Sequence, residues 1–451
     1  MASVVNVSTT FSADIVNYIQ KKVMPLVQRQ LVFYQFGDAL RLPKGRGTTY
    51  TGSRFDRLNL PFAPLSEGVP PAGESLPLAQ VQAVAQQWGD KVTITDVAEL
   101  TIYHNLFQQA IKLTAMALKE TLDRNTANAL MGGTQVNYVN SRGARASLVA
   151  GDVLNPHEVD RLYAQLFTIG APQYDGTMEE DQMVEAGKPT KASESWRGQP
   201  HYVAICHPFV EQDMRENPTV ATAWSYSDIN RLYNNELGIW GGARWCRSNL
   251  VPSWTGIAQT NVSSNSTQGG TFAANTYYIQ VTGSNSQNGY ESQIYQISTS
   301  TTTTGSTSSI NVTMPSTAGY VYNVYVGTSA TSMTTLALSP SGPTTGPLAG
   351  QAVQIPASTV VTLTGTGAAQ VPPAAPATGL TVYPTFFLGR SAYGQVMLDD
   401  PQFFYLRDAD KSDPNNQLRV ISWKVMYGTL IQNNQFFARV ESVTGFTAAF
   451  G

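Results

Sequence analysis

Apolar positions along the chain follow two rhythms, and the switches between them mark its segments. In 14–28, Ile15, Tyr18, Ile19 and Val23 recur at helical spacing, predicting a helix that Pro25 kinks. After the turn-rich Leu42-Pro-Lys-Gly-Arg-Gly47, Thr48, Tyr50 and Phe55 are spaced as in an extended chain. Beyond the proline-laden stretch 61–77 the extended spacing resumes at Val81, Ala83, Val84, Val92 and Ile94. Two extended arms joined by a long Pro/Gly tip predict a projecting β-hairpin. A compact domain rarely keeps so long a loop without a use, which favours an arm over a disordered surface loop.

Asp96-Val-Ala-Glu99 reads as a capping box. Behind it Tyr103, Leu106, Phe107, Ala110, Ile111, Ala117, Leu118 and Leu122 predict one long helix, closed by Gly132-Gly133. A second helix starts at Asn155-Pro-His-Glu158, with Asn155 as cap and Glu158 completing the box; its face is Val159, Leu162, Tyr163, Leu166 and Phe167, and Gly170 ends it. Strands are predicted at 201–205, 385–388, 418–425 and 436–440, and a short helix at 208–214. Helices and strands without regular βαβ alternation give an α+β class.

Charge changes the picture in the middle of the chain. Between Arg247 and Arg390 the only charged residue is Glu291. Short strands at 276–281, 293–297, 310–314, 321–326, 335–338 and 359–363, separated by Ser/Thr/Gly/Asn turns, predict an all-β sandwich inserted into a host fold. In the run 320–326, Tyr322, Val324 and Val326 share the buried face and Asn323 lies on the other. Low-complexity disorder would fit 299–309 alone. Residues 263–270 read as a plain linker, and the Pro/Ala-rich run 371–378 as a semi-rigid spacer. Tyr277-Tyr-Ile-Gln-Val-Thr282 followed by Asn288-Gly-Tyr-Glu-Ser292 resembles immunoglobulin-like and fibronectin-type-III modules.

The chain has 451 residues, 42% hydrophobic and only 13% charged. That allows a packed core and two or three domains. A net charge of −3 gives no electrostatic case for nucleic-acid binding, although a protein that only encloses DNA need not be basic. Cys206 and Cys246 cannot make a disulfide framework, which fits folding in a reducing cytoplasm. Residues 1–11 lack signal-peptide features, and no window has the apolar length of a membrane span.

Catalytic and metal chemistry is not predicted. Of His104, His157, His201 and His207, the last two bracket a strand beside Cys206, too far apart to share a metal. There is no GxSxG, HExxH or P-loop; Gly187-Lys-Pro-Thr190 lacks the upstream glycine, and Glu179-Glu-Asp181 reads as a solvated loop. No cofactor is expected. Lys44, Arg46, Arg54 and Arg57 cluster near the hairpin and Glu67 and Glu74 lie in its tip; all six are candidates for contacts between subunits, with DNA contact the weaker reading of the cations.

The flanking segments resemble the major capsid proteins of tailed bacteriophages of the N-four-like group, which share the Hong Kong 97-type capsid fold. In order, the matching residues are Arg41-Leu-Pro-Lys-Gly-Arg-Gly47, Pro64-Leu-Ser-Glu-Gly68 with Pro70-Pro-Ala-Gly-Glu74, Gln87-Trp-Gly-Asp-Lys-Val-Thr-Ile-Thr-Asp96 and Leu130-Met-Gly-Gly-Thr134. They continue with Asn235-Glu-Leu-Gly-Ile-Trp-Gly-Gly-Ala-Arg244, where Asn235 replaces the usual glycine, then Phe387-Leu-Gly-Arg-Ser-Ala-Tyr-Gly394, and Asp413-Pro414 through Ser422-Trp-Lys424.

The resemblance implies an N-terminal arm at 1–30 and a capsid fold at 31–255, with extended loop 44–96 and spine helix 97–132. It further implies peripheral and axial domains, with the capsid fold resuming at 379–451 around an insert at 256–378 that the family does not usually carry. The implied function is a self-assembling shell of hexamers and pentamers around double-stranded DNA. Scaffolding, portal and decoration proteins are the implied further partners, without a membrane, and the site is the virion after synthesis in the host bacterial cytoplasm. The alternative is a phage or bacterial surface adhesin or tail protein that binds host glycans through the sandwich.

Overall fold

The computed structural model describes residues 32–445 except 56–57, 59–63, 65–72, 74, 102–105, 175–199, 222–234, 259–263, 286–288, 298–299, 345–347 and 407–416. The helix expected over 14–28 and the runs at 179–181 and 187–190 lie outside the described residues. The fold is α+β, in two units: Met1–Gly132 with Ser391–Asn434, and Gly133–Arg390 with Gln435–Gly451.

The first unit is built on a four-stranded sheet in the order Asp38–Arg41, Tyr393–Leu406, Leu418–Ile431, Gln86–Thr95. The outer pair formed by Asp38–Arg41 is parallel and the other two are antiparallel. Gln86–Thr95 runs directly into helix α1, Asp96–Thr101, and helix α2 follows at Leu106–Leu130. The helix start differs from the expected capping box. Thr95 Oγ accepts the Ala98 N–H at 3.3 Å, so the cap is Thr95. Asp96 Oδ1 accepts only the adjacent Val97 N–H, and Glu99 pairs with Arg419 at 3.6 Å. Thr95 ends the strand, and its hydroxyl lies three residues from the donor, the spacing an N-cap requires.

Helix α2 has 25 residues and is about 37 Å long at the α-helical rise. Its buried stripe, Ala110, Thr114, Leu118, Leu122, Thr126 and Leu130, repeats every four residues. Leu118 and Leu122 pack on Trp423, Val425 and Tyr427 of the sheet, and Ala110 packs with Ile94 and Ile421. The two threonines fit this apolar face because their hydroxyls donate back to the carbonyls of Ala110 and Leu122.

The second unit holds helices α3, Pro156–Ile169, and α4, Pro208–Glu216, against a large sheet. Val159, Leu162 and Leu166 of α3 and Val210 and Met214 of α4 form one core with Tyr202, Ala204, Trp245, Phe387, Ala438 and Val440. Asn155 Oδ1 accepts the Glu158 N–H at 3.1 Å and Gly170 takes a left-handed φ of 76°, as the sequence predicts. Glu158 differs from the expected box. Its carboxylate takes the Asn140 N–H, which a left-handed φ of 55° at Asn140 brings to it.

The charge-poor segment is a two-sheet structure. Ser264–Phe272, Ser308–Thr313 and Val360–Leu363 form one sheet. Facing it are Glu291–Tyr295, Thr276–Asn285, Tyr320–Gly327, Thr335–Leu338 and Gly365–Ala369. Between the sheets lie Phe272, Ile279, Val281, Ile310, Val312, Tyr322, Val324, Val326, Val361 and Leu363. Asn323 lies on the other face as expected, but its neighbour Tyr325 is also fully buried there, under Met333, Leu336 and Val353.

Neither expected linker is a plain connector. Of the first, residues 264–270 lie in the strand Ser264–Phe272, which pairs with Ser308–Thr313 through the backbone, so its polar composition did not signal it. The spacer 371–378 is tied down at two carbonyls: Arg145 Nη1 donates to Ala374 O at 3.0 Å and Gln296 Nε2 donates to Pro376 O at 2.7 Å. The sheet also continues into the flanks. Glu291–Tyr295 pairs with Trp254–Ile257, which pairs with Thr381–Leu388.

Candidate assembly surface

The hairpin predicted from the extended spacing is present in the first unit. Thr49–Phe55 and Leu78–Val84 are antiparallel in unbroken register, from Thr49 opposite Val84 to Phe55 opposite Leu78. Side-chain alternation gives the ribbon two faces. On one, Tyr50, Val81 and Ala83 at the root pack against Leu42, Ala85, Val396 and Leu430 of the sheet. The other presents Thr49, Thr51, Ser53, Phe55, Leu78, Gln80, Gln82 and Val84, all exposed. At its distal end the cross-strand pair Phe55 and Leu78 is 64% and 53% exposed, and Leu76 beside it is exposed as well. A cross-strand apolar pair open to water on a two-stranded ribbon gains little from its own chain.

The six charged candidates divide. Lys44 Nζ lies 3.1 Å from Asp399 Oδ1, a bond that holds the Asp399 carboxyl below its usual range. Both side chains are solvent-exposed, so the pair is weak and the lysine can exchange partners at little cost. Arg54, on the inward face of the ribbon, donates from Nη1 to Gln432 O at 3.0 Å. Arg46 is exposed in the turn before the ribbon. Arg57, Glu67 and Glu74 lie outside the described residues. Lys44 and Arg46 thus lie before the root of the hairpin, and Arg54 lies toward its distal end.

Sequence reasoning missed a second apolar surface on this unit. Tyr393–Leu406 is paired on one edge along most of its length, whereas Asp38–Arg41 covers only Gly394 to Met397 on the other. The distal run Phe403, Phe404, Tyr405 and Leu406 is exposed, as are Val97 and Leu100 of α1. Four consecutive apolar residues at 403–406 were the available signal.

In the second unit, His201 and His207 stand at opposite ends of Tyr202–Cys206. His207 is structural: its Nδ1 accepts the Phe209 N–H at 3.2 Å, capping α4, and its ring stacks on Tyr383 with centroids 4.5 Å apart. Burial pushes its pKa down to about 4, which keeps Nδ1 free to accept. Cys206 stands opposite Arg247 and Ile205 opposite Cys246, so the two thiols point to opposite faces of the sheet. Among the described residues no group of three or more His, Cys, Asp or Glu is placed to hold a metal ion, and no described helix is long and apolar enough to cross a membrane. The insert buries Tyr277, Tyr295, Tyr322 and Tyr325, and these rings are not offered to a sugar.

No family model matches the sequence, and no curated protein matches it. Solved structures similar to this one include the capsid of Ralstonia phage GP4, with a TM-score of 0.49 at 10% identity over 95% of each chain. The head structure of Helicobacter pylori bacteriophage KHP40 matches with a TM-score of 0.47 at 8% identity, over 95% of this chain and 94% of that one. The capsid of cyanophage P-SCSP1u matches with a TM-score of 0.45 at 10% identity, over 94% of this chain and 92% of that one.

Proposed function

We propose that this chain is a structural subunit of a tailed-phage icosahedral head, not an enzyme, and that it assembles with itself into hexamers and pentamers enclosing double-stranded DNA. The observation that carries this reading is the hairpin, whose distal Phe55–Leu78 pair is left exposed by the described residues. An isolated ribbon of two strands is marginal in water, so such an arm is stable when laid on a neighbour. Copies that meet head to tail in this way close into rings. The order of capsid-like motifs at 41–47, 87–96, 130–134 and 387–394 supports the same reading.

In this reading 1–30 is the N-terminal arm, 44–96 the extended loop and 97–132 the spine region, and the insert 256–378 projects outward without driving closure. Lys44, Arg46, Arg54, Arg57, Glu67 and Glu74 make ion pairs across subunit boundaries. The protein is made in the host cytoplasm and resides in the virion, with scaffolding, portal and decoration proteins as further partners. DNA is enclosed without sequence-specific contact.

The test is the double variant Phe55→Ser with Leu78→Ser. Both side chains are exposed, so thermal unfolding of the unassembled protein should move by no more than about 2 °C. Assembly, followed by sedimentation velocity, should be lost. Wild-type assembly by the double variant would overturn the arm's assigned role.

A further inference from the structure

Asp123 is the one charged residue among the buried positions of α2, with no exposed surface. Its oxygens serve one short turn, Val32–Phe36. Oδ2 accepts the Val32 N–H at 3.1 Å and Oδ1 accepts the Tyr34 N–H at 2.7 Å. From the sheet side, the Tyr393 hydroxyl donates to Phe33 O and Gln395 Nε2 donates to Tyr34 O at 2.6 Å. Val32, Phe33 and Phe36 are buried in the same place. The turn is therefore docked by its own backbone groups, and it is the point from which residues 1–31 depart.

We propose that Asp123 couples docking of this turn to pH, holding it more tightly in mild acid than at neutral pH. Docking moves the carboxylate from water to a site where, among the described residues, no lysine, arginine or histidine is bonded to its oxygens. The other titratable groups facing it are phenols: Tyr34 from the turn, Tyr427 from Leu418–Ile431 and Tyr393 from the adjacent strand. Tyr34 and Tyr427 are themselves pushed up by burial, so both remain neutral in this range. On α2, Lys119, Glu120 and Arg124 are its charged near neighbours in sequence. On the next strand Arg41 is bonded to Asp400, and Asp38 adds a further negative charge.

A charge left uncompensated there is expensive, and the backbone N–H groups of the turn offset only part of the cost. Docking is accordingly favoured when the carboxyl takes up a proton from solvent. Burial raises Asp123 to about 6, against the opposing pull of the Tyr34, Val32 and Phe33 N–H groups. A carboxyl in water titrates near 3.9, so the docked form binds the proton more tightly than the undocked one. The added stability is complete below about pH 4 and is lost as pH rises through about 6.

The test is hydrogen exchange of the full chain at pH 5 and pH 7, read on a peptide covering 32–36. Rates are corrected for intrinsic exchange, and Leu418–Ile431 reports any global opening. Protection of the turn should be about tenfold greater at pH 5 than at pH 7. Asp123→Asn, which cannot titrate, should show equal protection at both. Tyr393→Phe removes the bond to Phe33 O and should lower protection at both pH values by one factor, keeping the ratio. Equal or greater wild-type protection at pH 7, or a wild-type ratio in Asp123→Asn, would overturn the proposal. Should that variant fail to fold, the wild-type and Tyr393→Phe ratios decide it.

Discussion

At His207 one ring nitrogen does the work of a helix cap, and this makes the residue a point of acid weakness in the second unit. The native ring, with its pKa near 4, binds fewer protons than the unfolded one, which titrates near 6.5. Its contribution to stability is complete above about pH 6.5 and is lost as pH falls through 4. His207→Asn keeps a good capping side chain and removes the titration, at the expense of the stacking on Tyr383. Urea unfolding should find the variant about 1 kcal/mol less stable than wild type at pH 7.5, with the gap narrowed or reversed at pH 4.5. A gap that stays constant between the two pH values would refute this role. The Asn155 cap was legible in the sequence because donor and acceptor are three residues apart. The Thr95 cap was misplaced by one residue because Thr95 and Asp96 are both good caps, and only backbone geometry separates them. Asp123 could not be anticipated, since its partners lie 89 and 91 residues away.

Among the elements, α2 was the easiest to read because its buried stripe keeps one period over its length, and the hairpin was read from extended spacing on both sides of a Pro/Gly-rich stretch. The stripe of α2 also sets unequal values on its leucines. Leu122 is buried against Trp423, Val425 and Tyr427, whereas Leu113 is exposed. Leu122→Ala should cost about 2–5 kcal/mol in chemical denaturation, and Leu113→Ala less than about 0.5. Similar losses from the two would mean that α2 does not sit on the sheet by this face. Tyr393–Leu406 was missed although it is one of the longest strands. Register shifts between Met397 and Asp399 and between Asp399 and Gln402, with Pro401 among them, break its alternation into pieces too short to recognise. The strand Ser264–Phe272 escaped for a different reason: its Ser, Asn, Thr and Gly residues carry no apolar pattern, and its place comes from ladder bonds to Ser308–Thr313.

For the whole molecule, charge depletion singled out residues 248–389, which the structure keeps within the single compact unit Gly133–Arg390 with Gln435–Gly451, and it said nothing of how they join their flanks. The junction is built from residues far apart in sequence. Arg145 Nε and Nη2 hold Glu441 at 2.7 and 2.8 Å, its guanidinium lies 3.5 Å over Trp254, and Nη1 holds the exit segment at Ala374 O. Arg439 stands on the same carboxylate at 3.2 Å. Entry strand, exit segment and core strand thus meet at one buried ion-pair group, a fixed mounting and not a flexible tether. The assembly reading rests on the other unit, where the Phe55–Leu78 pair of the hairpin is exposed among the described residues. Electron microscopy of the purified full-length protein tests that reading most directly. Closed shells, hexamers or tubes are the predicted result; a population of persistent monomers, particularly monomers that bind glycans, would contradict it.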